Sequence, residues 1–71
     1  MATISTVTTA IVSNYVVELN KVIRRDGSTS RFEVEFYEDG FGYTFFRDHS
    51  EISARSWFNH LVRDLRQGWR P

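Results

Sequence analysis

The stretch FEVEFYEDGFGYTFFR, residues 32–47, decides the fold. Two segments of alternating residues meet at Asp39-Gly40, a pair that accepts the positive φ angles of a type I′ turn. A two-residue turn there predicts a hairpin in which Phe36 faces Tyr43 and Val34 faces Phe45 on one side. On the other side Glu33 lies opposite Phe46, Glu35 opposite Thr44, and Tyr37 beside Gly42. One face therefore reads as core, and the other mixes acids with aromatics.

Outward from the hairpin, residues 3–12 are rich in β-branched side chains and predict a first strand. Ser13-Asn14 is a turn, with Asn14 suited to the left-handed region. Residues 15–24 form a second strand and residues 25–30 a loop; strands at 31–38 and 41–47 complete the set. A two-residue turn at Asp26-Gly27 would set Glu18 against Glu35, which like charge disfavours. A four-residue loop avoids this, pairing Ile23 with Phe32 and Leu19 with Phe36. Strand parity then sends Val17, Leu19, Ile23, Ala10, Thr8 and Ile4 inward, with Lys21 at the core's edge. Ile11, Val16 and Val22 point outward near Tyr37.

A helix over 49–67 ends the chain. Asp48 and Glu51 have capping-box form, and Gly68 suits a left-handed stop. Ile52, Ala54, Trp57, Phe58, Leu61, Val62 and Leu65 make an apolar stripe at helical spacing, and Trp69 is placed to fold back over the helix end. The expectation is one α+β domain over 1–71: a small antiparallel meander of three to four strands, with one C-terminal α-helix packed on one face. Residues 3–24 could form two strands or one bent strand. A chain of 71 residues buries only ~60% of its unfolded surface, so the core must be dense. Six Phe, three Tyr and two Trp supply that density.

Composition narrows the function. Nine basic and nine acidic side chains balance, unlike the strong positive charge typical of nucleic-acid binders. Cysteine is absent, so neither disulfides nor thiolate metal sites arise. No apolar run reaches the ~18 residues of a membrane span, and the first ten residues lack the pattern of a signal peptide. These features imply a cytoplasmic protein without membrane contact. Asp48, His49 and Ser50 carry the letters of a hydrolase triad, but adjacent residues cannot converge their side chains as a triad requires. His60 and Asp64, four apart, read as an exposed ion pair rather than two-thirds of a metal site. The expectation is no enzyme, no catalytic residue, no metal and no cofactor.

The candidate partner-binding residues are Val16, Glu18, Glu33, Glu35, Tyr37 and Phe46, on the sheet face that the helix leaves open. Lys21, Arg24, Arg25 and Arg31 surround one loop and are candidates for contact with phosphate or an acidic partner. Together these residues point to a small protein-binding module. A regulator or inhibitor of a host machine, encoded by a phage or mobile element in the manner of an anti-CRISPR protein, would suit so small a domain. An alternative comes from element order: four strands and a helix resemble the transcriptional-coactivator type of single-strand nucleic-acid binder. That resemblance covers most of the chain without a shared motif, and it implies a dimer presenting a curved sheet to nucleic acid. The glutamates on the outward face count against phosphate there. A homodimer that supplements a small core is a third reading.

Overall fold

The computed structural model describes residues 2–70. Four strands, β1 (Thr3–Val12), β2 (Tyr15–Ile23), β3 (Thr29–Glu38) and β4 (Phe41–Asp48), precede one helix, α1 (Glu51–Arg66). The strands form an antiparallel meander in the order β1-β2-β3-β4, so residues 3–24 are two strands. Among the described residues, no helix is long and apolar enough to cross a membrane.

The hairpin at Asp39-Gly40 forms as its sequence requires, with φ of 51° and 85° at the two turn residues. Phe36 pairs with Tyr43, Glu35 with Thr44, and Tyr37 with Gly42. Beyond Thr44 the alternation breaks, because Phe45 is an extra residue that no β3 residue opposes. Val34 therefore pairs with Phe46 rather than Phe45, and Glu33 with Arg47 rather than Phe46. Phe46 is thereby carried to the helix side, where its ring stacks on Trp57 at 5.0 Å.

Two further bulges reset parity. In β1, Val7 is skipped between Thr6 and Thr8, so Thr8 and Ala10 face the core while Ile4 pairs with Val22 on the outer side. In the β2–β3 connection, Arg24 N–H donates to Ser28 O at 2.7 Å, leaving three loop residues that include Gly27 at φ 91°. Skipping Ser30 then restores the odd–even match, so Leu19 pairs with Val34 and Ile23 with Thr29. Glu18 consequently does face Glu35, contrary to the four-residue loop expected. The like-charge contact is tempered because each carboxylate has a neutral donor: Asn20 Nδ2 at 3.3 Å for Glu18 and Thr44 Oγ1 at 2.9 Å for Glu35. In the β1–β2 turn it is Ser13, at φ 56°, that takes the left-handed position instead of Asn14.

The helix starts two residues later than its sequence suggests. Asp48 Oδ1 accepts the Ser50 N–H at 2.9 Å, and Ser50 becomes the cap, its Oγ accepting from Ser53 N–H at 3.3 Å. Glu51 pairs with Arg55 at 2.8 Å rather than closing a capping box. At the other end Trp69 N–H reaches Asp64 O and Gly68 N–H reaches Leu65 O, with Gly68 at φ 99°. This Schellman turn folds the chain back beside the sheet.

Val17, Leu19, Val34, Leu61 and Leu65 form the fully buried centre, joined by Tyr15, Phe32, Phe36, Ala54, Phe58 and Val62. A helix ~10–12 Å wide covers about two strands spaced ~4.8 Å apart. The helix side of β2 and β3 is thus sealed, whereas edge strands β1 and β4 stay partly open. Ile52 remains exposed and Trp57 is 41% exposed, so the stripe buries less than its spacing suggests.

Candidate functional site

The outer face of the sheet is a grid of cross-strand rows. Ile11, Val16, Tyr37 and Gly42 form one row, and Thr9, Glu18, Glu35 and Thr44 the next. Thr6, Asn20, Glu33 and Arg47 follow, then Ile4, Val22 and Arg31. Five of the six candidate partner-binding residues (Val16, Glu18, Glu33, Glu35 and Tyr37) lie on this grid. Phe46 does not, since the Phe45 bulge moves it to the helix side.

Side-chain bonds tie the grid together. Glu33 accepts Arg31 Nε at 2.8 Å and Arg47 Nε at 2.9 Å on one oxygen, and its side chain is only 6% exposed. Thr6 Oγ1 donates to the buried Asn20 Oδ1 at 2.9 Å, and Asn20 donates on to Glu18. The Tyr37 ring lies over Gly42 so closely that a Cβ at Gly42 would stand 2.5 Å from ring atom Cε1. Burial, then the negative charges of Glu18 and Glu35, push the Tyr37 phenol pKa above its usual value. These side chains satisfy one another, so the face is a bonded surface with little unused chemistry.

The basic loop disperses as well. Arg24 Nη1 donates to Thr29 O at 2.7 Å, and Arg31 is held by Glu33. Lys21 pairs with Phe32 on the helix side, opposite to Arg31, and Arg25 stands exposed in the turn. Asp48, His49 and Ser50 diverge into separate roles: Asp48 and Ser50 build the helix start, and His49 Nδ1 lies 2.9 Å from Ser30 O. His60 pairs with Asp64 at 3.1 Å.

The open chemistry lies along β4, whose Tyr43 and Phe45 sequence reasoning placed in the core. Phe41, Tyr43 and Phe45 share the helix side of this edge strand; Phe45 packs on the core, whereas Phe41, 72% exposed, and Tyr43, 53% exposed, lie beyond the helix's reach. An aromatic chain links Tyr43 and Phe45 inward: Tyr43 to Phe36 at 5.3 Å, Phe36 to Phe45 at 6.2 Å, and Phe45 to Trp57 at 5.9 Å. Two depressions follow the strand. One of about 400 Å³ lies over Thr44, Phe45, Phe46 and Arg47. The other, about 480 Å³, is lined by Phe36, Glu38, Tyr43, Thr44, Phe45 and Trp69. Trp69, 44% exposed, is brought there by the Schellman turn. The signal that could have found this site is the pairing of Gly68-Trp69 with a tyrosine on the last strand, an edge by necessity in a meander. No known protein family matches the chain, and no curated protein or solved structure is significantly similar to it.

Proposed function

We propose that the protein is a non-enzymatic, cytoplasmic protein-binding module that docks its partner along β4 and the aromatic surface beside it. The observation that carries this reading is an edge strand with exposed Phe41 and Tyr43 next to Trp57 and Trp69. An edge offers unpaired backbone N–H and C=O groups to an added strand, and flanking pockets then select side chains. Tyr and Trp are the residues that most often anchor such contacts. The outer face expected to bind is better suited to holding the sheet together, because Glu33 is committed to two arginines. An inhibitor of a host machine would work through such contact alone.

The test is affinity capture followed by variants. Phe41→Lys places a charge on the edge and should abolish capture of a partner that the parent protein retains. The double change Tyr37→Ala, Glu35→Lys should leave that capture intact. The opposite pattern moves binding back to the outer face.

A second reading has its own observation. The other edge, β1, carries no charged residue over Thr3–Val12, and Ile4 and Ile11 are exposed. Such an edge favours antiparallel pairing with a second copy. Sedimentation velocity that shows a monomer across a wide concentration range would end this reading. Single-stranded nucleic acid is the weaker partner: Tyr43 and Trp69 could stack bases, but Glu38 at the groove and Asp39 at the hairpin tip would repel phosphate.

A further inference from the structure

The groove beside β4 is aromatic, yet one of its walls is a carboxylate. Phe36 forms its floor, Tyr43 and Trp69 stand partly exposed around it, and Glu38 contributes the acid. Of the other acids, Glu18, Asp26, Glu35 and Asp48 have neutral donors, and three have basic partners. Glu33 has Arg31 and Arg47, Glu51 has Arg55, and Asp64 has His60. Among the described residues, neither Glu38 nor its neighbour Asp39 has a basic side chain within ion-pair distance. Glu38 has neutral partners alone: a long bond from Asn14 Nδ2, at 3.4 Å, and the phenol of its cross-strand neighbour Tyr15. A partly open aromatic groove with a carboxylate that lacks a basic partner attracts a cation that also has an apolar or planar body. Arginine fits best: its flat guanidinium stacks on rings, its fork meets a carboxylate, and its methylenes lie on apolar walls. The chain displays this chemistry next door, where the Arg70 guanidinium sits 5.2 Å from the centre of the Tyr15 ring.

We propose that the groove takes an arginine side chain of the protein partner, stacked between Tyr43 and Trp69 with its guanidinium on Glu38. This rests on the β4 docking reading and names the chemistry of the residue that fills its pocket. The other depression, over Phe46 and Arg47, already carries its own cation and lacks a free acid.

The test uses the whole protein and small probes, so it does not depend on having the partner. N-acetyl-arginine methylamide is titrated into isotope-labelled protein, with the N-acetyl-citrulline methylamide as a neutral analogue of the same shape. The arginine probe should bind in the roughly millimolar range and shift the Trp69 indole and the Tyr43 and Thr44 amides. Citrulline should bind about tenfold more weakly, since it keeps the shape and loses the cation. Glu38→Gln should weaken arginine about tenfold and leave citrulline unchanged, while Trp69→Leu should weaken both. Equal binding of the two probes, arginine binding unaffected by Glu38→Gln, or no shift with either probe would each overturn the proposal. Its failure stays separate from failure of the docking reading, because Phe41, the residue varied in the capture experiment, does not line the groove.

Discussion

Replacing Glu33 with alanine tests whether the acidic outer face is structural. The carboxylate is 6% exposed at the side chain and accepts two guanidinium bonds, at 2.8 and 2.9 Å. Hydrogen bonds to charged groups contribute ~1.5–3 kcal/mol each in favourable settings. Arg31 and Arg47 are 40% and 61% exposed, so water recovers them once Glu33 is gone, and the contribution must be discounted. The net loss expected is ~2 kcal/mol. For a domain this size, total stability is roughly 4–10 kcal/mol, so the change removes a large fraction. In calorimetry Tm should fall by roughly 8–16 °C, and the urea midpoint should fall without a change in slope. Adding Arg47→Ala to each form completes a double-mutant cycle whose coupling should be ~0.5–1 kcal/mol. A Glu33→Ala protein within ~0.5 kcal/mol of the parent refutes the reasoning, since surface changes of no structural weight fall in that range. The outer acids would then be free for a ligand.

Other consequences follow from the same geometry. Glu35→Gln keeps the bond from Thr44 but removes the like charge opposite Glu18, so urea titration should show it neutral to stabilising, by up to ~1 kcal/mol. Gly68→Ala forces a side chain into φ 99° with nothing within 4 Å to clash, so its cost of ~1 kcal/mol is backbone strain alone. The same variant should change the emission of Trp69 as the Schellman turn loosens. Ser50→Ala removes the helix cap and should cost ~1 kcal/mol in thermal melts. Burial raises the pKa of both Tyr15 and Tyr37, aided at Tyr15 by Glu38 and at Tyr37 by Glu18 and Glu35. The fold thus favours the neutral phenols. Their contribution is complete below the unfolded value near pH ~10 and is lost as pH rises through the higher folded values. Denaturation midpoints should therefore hold up to about pH 9 and fall above pH ~10, and Tyr37→Phe should flatten that fall.

The strands, the Asp39-Gly40 turn and the helix were legible because each rests on a local signal: alternation, a dipeptide with positive φ, or a helical stripe. Counting residues across strands failed wherever one partner carried an extra residue. Val7, Ser30 and Phe45 each form such a bulge, and each reverses the face of what lies beyond it. That is why Ile4 turned outward and Phe46 turned toward Trp57. Bulges leave no mark on an alternating pattern, because either parity reads as a valid strand. The acids were located correctly on the outer face, but their availability was not legible, since it depends on Arg47 arriving opposite Glu33. The open groove was missed for a different reason. The apolar stripe of α1 implies a covered sheet, yet one helix spans two strands, and β4 is the second of the two edges.

The central claim is that the partner lies on β4 rather than on the outer face. Backbone amide mapping of the labelled protein with its captured partner, by cross-saturation from the partner's protons, addresses it most directly. Saturation should appear at Phe41, Tyr43, Thr44 and Phe45 and at the Trp69 indole, and be absent at Glu18, Glu35 and Tyr37. Saturation centred on Glu18, Glu35 and Tyr37, with β4 silent, would contradict it.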